Sequence, residues 1–543
     1  MAKKRCAIIG AGASGIPAAR WALEYDYETV IFEATNEIGG LWNFKPDETE
    51  FSTVAKSTVI NTSKEMTAYS DFPPPADSAN FFHNRVLKQY FIDYSDHFGV
   101  TPCIRFQHRV LNVERAGDYE QSGRWIVLFQ DEEGNEKRET FDCVLCCTGH
   151  HARPHMAHFP GQERFKGRII HSHSGDAQPD VLQDHKGFED KIVVVVGIGN
   201  SALDVACELA RLSKQVYIST RRGAWIIRKT IDGGLPADHA NSRFTAWIRA
   251  NFPKFFTWIG HRTCNRVFDH EAYGLRPKHT IMQQHPSLSD ELHGTKRTRA
   301  VSAGRVIVKG NIREFTEHGI LFEDGFELPQ VDDVVMCTGY SFDFPMLDGG
   351  KLVPVVDNHC KLYKRMFPLN SADKATIAVL GLVQPLGSIM PISEMQARVF
   401  FGVQAGIARL PSPAEQKAEI ERVIDTMWKR YVKSPRHTIQ VDFSSYMDEL
   451  AELIGCKPRL LDFLLNDPKL FTRLLFGPAV AYSYRLHGPN ALPEAREMIL
   501  GVEERRIRAT HHRDTGMAQY ASSSLAFYLF AAGLLVFLYK LLH

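Results

Sequence analysis

Two glycine-rich turns are the residues of this chain best suited to binding phosphate. The first turn follows an apolar run at the spacing G-x-G-x-x-G, and its residues are Gly10, Ala11, Gly12, Ala13, Ser14 and Gly15. Glycines at these places permit a tight bend, a close approach of backbone to a pyrophosphate, and close packing of helix on strand. Glu33 ends the next apolar run, where a carboxylate can bind ribose hydroxyls and disfavours a 2′-phosphate. The first turn therefore predicts FAD.

The second turn resembles the first but is followed by a different strand end. Its residues are Gly197, Gly199, Asn200, Ser201 and Ala202, with alanine at the third small position. The strand after it ends in Thr220, Arg221 and Arg222 and carries no acid. Hydroxyl and guanidinium groups bind a 2′-phosphate, so this turn predicts NADPH. The alternative is that the two arginines form only a solvated basic turn.

A flavin and a nicotinamide together imply hydride transfer to the flavin, and the next electron acceptor must be found. A disulfide reductase of this design needs a redox cysteine pair soon after the first nucleotide helix, where this chain has Ile38-Gly39-Gly40-Leu41-Trp42. Cys143, Cys146 and Cys147 have a C-x-x-C spacing, but no second pair accompanies them, and we interpret them as small apolar residues of a buried strand. The remaining candidates for the electron acceptor are oxygen and a soluble molecule.

Four histidines near the predicted domain linker raise the alternative of a metal site: His150, His151, His171 and His173. Their positions at a strand end and in the linker give no ligand geometry. We predict no metal.

The elements that must position these residues alternate between strand and helix. Residues 5–9, 14–24 and 29–33 predict a strand, a helix and a strand, and the same order recurs at 192–196, after 201, and at 216–220. Two strands ending in Thr-Gly, at 144–149 and 334–339, are expected to carry the chain between nested domains. The predicted fold is α/β with two nested Rossmann-like dinucleotide-binding domains. The predicted segments are an FAD-binding domain at 1–155 and 331–445, an NADPH-binding domain at 156–330, a helical region at 446–514 and a membrane anchor at 515–543.

Residues 225–300 do not fit a simple nucleotide-binding unit. They contain seven aromatic residues between 225 and 258, with basic residues interleaved. One interpretation is a helical insertion packed on the core. The other is an apolar and basic surface that contacts a membrane near a substrate entrance.

The C-terminal segment predicts a membrane anchor. No charged residue lies between Thr515 and Tyr539, and residues 525–539 are almost wholly apolar. About 20 helical residues span a bilayer. Arginines upstream, at 505, 506, 508 and 513, place the body of the protein on the cytosolic side. A buried or interfacial C-terminal helix is the alternative.

Composition agrees with a reduced, globular protein. Apolar residues make up 44% of the 543 residues and the net charge is +1, so no basic excess indicates nucleic-acid binding. Ten cysteines spread thinly over the chain form no disulfide framework.

Several longer segments resemble the flavin-containing monooxygenase family, from Lys4 to about residue 509. They are GAGASG, FEATNEIGGLW, VINTSKEMTAYSDFP, GIGNSALD, STRRGAW, CTGYSFDFP and GLVQPLGSIMPISEMQAR. These segments are most similar to those of the vertebrate fifth isoform and of invertebrate members.

The resemblance implies an enzyme that uses FAD, NADPH and oxygen and faces the cytosol on the endoplasmic reticulum membrane. In the family, reduced flavin and oxygen form a C4a-hydroperoxyflavin, which oxygenates soft nucleophilic nitrogen- or sulfur-containing lipophilic small molecules. An asparagine at the position of Asn61 contacts flavin and nicotinamide, which makes Asn61 the expected catalytic residue. The quoted segments extend the expected cofactor-binding set to Gly40, Leu41, Trp42, Thr62, Asp204 and Gln384.

One departure from the family pattern leaves alternatives open. The family signature F-x-G-x-x-x-H is present at Phe165, Gly167 and His171, but Gly175 stands where an aromatic residue is expected. This change bears on how NADP is held through the cycle. Besides heteroatom oxygenation, the alternatives are Baeyer–Villiger oxygenation of ketones, an NADPH oxidase that releases hydrogen peroxide, and a flavin-bound NADP sensor that acts through a partner.

Overall fold

A computed structural model describes residues 3–45, 51–173, 187–231, 234–290, 292, 300–434 and 437–510. Gly175 and the predicted anchor at 515–543 lie outside these residues. The strands are β1 (Arg5–Ile9), β2 (Glu28–Phe32), β3 (Ile104–Arg105), β4 (Arg109–Arg115), β5 (Trp125–Gln130), β6 (Glu136–Phe141), β7 (Cys143–Cys146), β8 (Arg153–Pro154), β9 (Arg168–His171), β10 (Ile192–Val196), β11 (Gln215–Ser219), β12 (Ile226–Ile227), β13 (Ser287–Leu288), β14 (Val306–Lys309), β15 (Ile312–Phe315), β16 (Ile320–Phe322), β17 (Glu327–Leu328), β18 (Asp333–Met336), β19 (Tyr340–Ser341), β20 (Leu362–Tyr363), β21 (Phe367–Pro368), β22 (Ile377–Val379), β23 (Gln384–Pro385) and β24 (Gln440–Val441). The α-helices are α1 (Gly15–Glu24), α2 (Lys64–Thr67), α3 (Asn84–His97), α4 (Tyr119–Ser122), α5 (Asn200–Leu209), α6 (Arg243–Asn251), α7 (Pro253–Val267), α8 (Met390–Gln404), α9 (Pro413–Arg430), α10 (Phe443–Leu453), α11 (Leu460–Asn466), α12 (Pro468–Phe476), α13 (Ala495–Leu500) and α14 (Val502–Arg508).

The first unit is a parallel sheet covered on both faces. Its strand order is β22-β7-β1-β2-β3, and every neighbouring pair is parallel. In β1, Cys6 and Ile8 enter a core shared with α1 and α8, while Ala7 and Ile9 enter a core shared with the antiparallel sheet β4-β5-β6. Burial on both faces explains why this strand is an uninterrupted apolar run.

The second unit repeats this arrangement. Its strand order is β14-β11-β10-β18-β9, again all parallel. Val193 and Val195 of β10 pack with α5, whereas Val194 and Val196 pack with the antiparallel sheet β15-β16-β17. Two Rossmann-type units are therefore present, as the repeated strand-helix-strand pattern predicts.

The second sheet lies between two strands of the first in chain order. All its strands fall between β7 and β22. The chain crosses between the units at β8 and β19, which pair antiparallel with each other. The predicted return to the first domain near residue 331 would place β18 in the first unit. The structure instead places β18 in the second sheet, between β10 and β9. An apolar run alone does not identify the sheet that it joins.

The segment 225–300 is only partly helical in its described residues. Helices α6 and α7 cover residues 243–267, and the strands β12 and β13 pair parallel on either side of them in sequence. Helix α6 packs against α10 and α12 of the C-terminal helical region. Among the residues that the structure describes, no helix is long and apolar enough to cross a membrane.

Candidate active site

The first glycine turn joins β1 to α1, and Gly10 and Gly15 in it leave no room for a side chain. Gly10 has φ +102°, and a Cβ there would lie 2.9 Å from the carbonyl oxygen of Cys147. A Cβ on Gly15 would lie 1.8 Å from the oxygen of Gly10. Gly12 faces Gly40 with its backbone, since a Cβ on Gly40 would lie 3.2 Å from the Gly12 Cα. The turn and the Gly40–Trp42 segment thus form one backbone-lined wall at the N-terminus of α1.

Glu33 follows directly after β2 and is buried. Its Oε2 accepts a hydrogen bond from Ala11 N at 2.7 Å, and its Oε1 accepts from the Thr35 N and Oγ1 at 2.8 and 2.7 Å. A carboxylate has about four acceptor sites, so these bonds leave capacity for ribose hydroxyls. Glu33 therefore braces the turn and remains suited to the predicted role.

Lys45 was missed by sequence reasoning, although it secures the wall. Its ammonium donates to the carbonyl oxygens of Gly40, Asn43 and Ser52 at 3.2, 3.3 and 3.0 Å. Burial lowers its pKa from the ordinary lysine value. No local pattern marks this residue, because the carbonyl groups that it binds become neighbours only through the fold.

The segment that carries Asn61 is attached to the first turn. The Tyr69 hydroxyl donates to the carbonyl oxygen of Ala13 at 2.8 Å. Asn61 itself is half-buried, and its side chain makes no hydrogen bond to the described residues. Thr62 differs, because its hydroxyl pairs with that of Thr67 at 2.8 Å. An amide that has no partner among the described residues, on a segment attached to a dinucleotide turn, is available to a bound group.

Helix α8 also positions this part of the molecule. The Ser14 hydroxyl pairs with that of Ser393 at 2.8 Å, and the buried Glu394 accepts from Ser70 N at 2.6 Å. Burial, together with the nearby Asp71 charge, raises the pKa of Glu394. The first turn and the Asn61 segment thus share a support that sequence reasoning did not identify.

Open space adjoins Gly199 of the second glycine turn, whereas the Gly40–Trp42 segment lies against the first turn. Gly197 has φ +129°, and a Cβ there would lie 2.4 Å from the carbonyl oxygen of Cys337. A Cβ on Gly199 would meet no atom within 4 Å, and no side chain caps the N-terminus of α5. Phosphate can therefore approach the unpaired N–H groups of this helix.

The other predicted residues of the second turn and its helix differ in their exposure and contacts. Ala202 is buried, while Ser201 and Asp204 are exposed. Asn200 uses its Oδ1 to accept from Leu288 N at 2.9 Å, which ties the turn to β13.

The end of β11 provides the cationic groups. Thr220 is buried, and its Oγ1 accepts from Gly223 N at 3.1 Å. Arg221 and Arg222 are exposed directly after it. Two exposed guanidinium groups beside an open helix N-terminus fit a 2′-phosphate better than a plain ribose.

Gln384 lies apart from these groups. It is exposed in β23, and its backbone N donates to Ile439 O at 2.8 Å. The described hydrogen bonds do not join it to the other predicted site residues.

The histidines between the two units surround one tyrosine. The ring centroids of His151, His171 and His173 lie 4.9, 5.6 and 5.6 Å from that of Tyr340. Burial lowers the pKa of both His151 and His171 to about 4, so these rings are neutral at physiological pH. Ring packing is their observed role, and the described residues contain no group of His, Cys, Asp and Glu arranged to hold a metal ion.

The cysteines of β7 and the one directly after it are buried, as the interpretation as small apolar residues requires. Cys143, Cys146 and Cys147 are each less than 10% exposed. Burial raises the pKa of Cys146 to about 11, so the reactive thiolate is not formed at neutral pH.

Two dinucleotide turns on two nested parallel sheets define a two-nucleotide flavoprotein oxidoreductase, since a buried carboxylate braces the first turn and two exposed arginines follow the strand after the second. A family model described as "Flavin-binding monooxygenase-like" matches residues 3–543. The chain is 43% identical over 521 residues to flavin-containing monooxygenase 5 of Cavia porcellus, covering 95% of each chain. It is 39% identical over 537 residues to dimethylaniline monooxygenase [N-oxide-forming] 2 of Rattus norvegicus, covering 98% of this chain and 97% of the relative.

A solved structure agrees on the fold. S-allyl-L-cysteine S-oxygenase from Allium sativum superposes with a TM-score of 0.63 at 23% identity, covering 92% of this chain and 99% of the other. The chain belongs to the flavin-containing monooxygenase family, and it is an NADPH-dependent monooxygenase that uses FAD.

Proposed function

We propose that this enzyme oxygenates soft nucleophilic nitrogen- or sulfur-containing small molecules, with FAD on the first turn and NADPH on the second. The observation that carries the proposal is the Asn61 amide, which has no partner among the described residues and lies on a segment held to the FAD turn by the bond from Tyr69 to Ala13. The flavin, when bound, supplies the redox chemistry, since it accepts hydride from NADPH and delivers electrons to oxygen.

The protein's own residues orient the two cofactors and shield the reacting atoms from water. Gly12 and Gly40 bring backbone to the pyrophosphate, and Glu33 fixes the turn while it binds ribose. Arg221 with Thr220 distinguishes NADPH from NADH at the end of β11. Asn61 donates a hydrogen bond in the reacting complex, where a dry, preorganised donor is worth far more than in water.

A paired product assay tests the proposal. Purified enzyme with NADPH and oxygen is offered an alkyl aryl thioether and an aliphatic ketone side by side, and sulfoxide, ester and hydrogen peroxide are quantified. We expect sulfoxide to account for most of the NADPH consumed. Ester as the main product would replace the proposal with Baeyer–Villiger oxygenation, and peroxide alone would replace it with an NADPH oxidase.

We also propose attachment to the endoplasmic reticulum membrane, with the catalytic units facing the cytosol. The apolar segment 525–539 supports a C-terminal anchor. Helix α7 supports a second contact, because Phe255 and Trp258 are exposed and stack on each other while Arg262 lies 5.8 Å from the Trp258 ring. Of the upstream arginines, Arg508 is exposed, whereas Arg505 and Arg506 pair with Glu65 and Glu503.

A further inference from the structure

A short hairpin of the second unit reaches the segment that carries Asn61. In residues 229–238, Ala237 N donates to Lys229 O at 2.7 Å and Ile231 N donates to Leu235 O at 2.8 Å, so the two arms pair antiparallel. Lys229 N donates to Asp290 Oδ1 at 3.0 Å, which ties the base of the hairpin to the strand end after β13. Residues 232–233, between the arms, lie outside the described part of the chain.

Two side chains at the base of this hairpin bind the backbone on either side of Asn61. The Lys229 ammonium donates to the carbonyl oxygen of Val59 at 3.2 Å. Oδ2 of Asp238 accepts from Ser63 N at 2.6 Å. Val59 and Ser63 each lie two residues from Asn61, so one hairpin holds both ends of a five-residue arc.

The arc is also attached to its own unit. Ile60 N and, just beyond the arc, Lys64 N donate to the carbonyl oxygens of Phe82 and Asn80 at 2.9 and 2.8 Å. Between these two attachments, Asn61 lies in no helix or strand. The acceptor for Ser63 N comes from the NADPH-side hairpin and not from the unit to which Asn61 belongs. Asp238 is shielded from water, and this burial raises its pKa to about 6.

We propose that Lys229 and Asp238 are positioning residues that set the place of Asn61 and thereby the fate of the electrons from NADPH. The inference rests on the function proposed for Asn61. In the coupled reaction, NADPH, a proton, oxygen and a thioether give NADP⁺, water and a sulfoxide. In the uncoupled reaction, NADPH, a proton and oxygen give NADP⁺ and hydrogen peroxide. Displacement of Asn61 favours the second outcome without preventing hydride transfer.

The test measures sulfoxide, peroxide and NADPH in the full-length enzyme loaded with FAD. Asp238→Ala and Lys229→Met each remove one hydrogen bond, and we expect each to raise the peroxide-to-sulfoxide ratio about five- to tenfold. Flavin content and the KM for NADPH should stay within about twofold of the parent value, because the removed bonds do not contact the second turn. Asp238→Asn should preserve coupling, since its carboxamide oxygen still accepts from Ser63 N.

A matched control comes from the same insertion. Glu271 forms an exposed ion pair with Arg276, and Glu271→Gln should leave the ratio unchanged. Lys229→Met removes a separate contact to the same arc, so it keeps the test decisive if Asp238→Ala does not fold.

A double variant shows whether the effect passes through Asn61. Asp238→Ala added to Asn61→Ala should cause no further rise in the ratio, because residues that act through one group are not additive. Two results would overturn this inference but leave the role of Asn61 standing. One is full additivity of Asp238→Ala and Asn61→Ala. The other is native coupling in both Asp238→Ala and Lys229→Met while Asn61→Ala is uncoupled. Native coupling in Asn61→Ala would overturn the role proposed for Asn61 and, with it, the inference.

Discussion

Asn61 and Arg221 illustrate two ways in which a single side chain can serve a cofactor that performs the chemistry. Asn61 presents an amide without a partner among the described residues, on a segment that Tyr69 attaches to the first turn. Arg221 is exposed at a strand end beside an open helix N-terminus. The first residue is suited to the reacting atoms, and the second to the distant end of the nicotinamide cofactor.

Asn61→Ala should retain flavin but lose coupled oxygenation. Removal of one preorganised hydrogen-bond donor costs about 10²–10³ in rate, so the sulfoxide yield should fall steeply while peroxide accounts for the NADPH consumed. Flavin absorbance, sulfoxide and peroxide are measured on the same preparation. Asn311→Ala is the control, because Asn311 is a surface residue that binds Glu323. An unchanged sulfoxide yield would contradict the role of Asn61.

Arg221→Gln should weaken NADPH binding selectively. A charge-assisted bond to a phosphate contributes about 1.5–3 kcal/mol, so the KM for NADPH should rise by about tenfold or more while that for NADH changes little. Arg211→Gln, at an exposed arginine of the same unit, serves as the control. Equal losses with both nucleotides would show that Arg221 does not select for the 2′-phosphate.

At the scale of elements, short segments are joined to distant ones by buried charge. Helix α2, which begins three residues after Asn61, is tied to helix α14 by a bidentate pair in which Arg505 donates to the buried Glu65 at 2.9 and 2.7 Å. The Tyr482 hydroxyl donates to the same carboxylate at 3.2 Å. The helix just before the proposed anchor is therefore part of the support of the active site.

Arg505→Met should destabilise the fold measurably. Removal of one partner of a buried ion pair costs about 3–5 kcal/mol, because the other charge is left uncompensated. We expect the melting temperature to fall by about 3–4 °C in a thermal unfolding assay. Arg459→Met, at an exposed pair with Asp462, should shift it by less than about 1 °C. Equal melting temperatures for the two variants would contradict the structural role of Arg505.

Features that depend on neighbouring residues could be predicted from the sequence, whereas contacts between distant residues could not. Strand β10 begins and ends where its apolar run does, and β1 adds only Arg5 to its own, because a strand buried on both faces leaves a continuous signal. The contacts of Asp238, Lys229 and Glu65 join residues 175, 170 and 440 positions apart, which no periodicity reveals. The sheet that β18 joins was predicted wrongly for a related reason, since its apolar run is equally compatible with either unit.

At the scale of the whole molecule, the proposed membrane contacts lie on different parts of the chain. Deletion of residues 515–543 should release most of the enzyme from microsomal membranes, and addition of Phe255→Ser and Trp258→Ser should release the remainder. The measurement is the fraction that pellets with the membranes, and Phe326→Ser, at an exposed aromatic residue of the second unit, is the control. A truncated protein that pellets as fully as the parent would contradict the C-terminal anchor.

The pairing of β8 with β19 has a consequence for ancestry and for engineering. Paired strands lie about 5 Å apart, so the chain enters and leaves the second unit at one point of the first. A single interruption of an ancestral flavin-binding gene would therefore have sufficed to admit the nicotinamide unit, without rearrangement of the host sheet. By the same geometry, residues 155–339 leave and rejoin the first unit at one seam, and a transplanted homologous unit would also have to reproduce the contacts of Lys229 and Asp238 with the Asn61 segment and of α6 with α10 and α12.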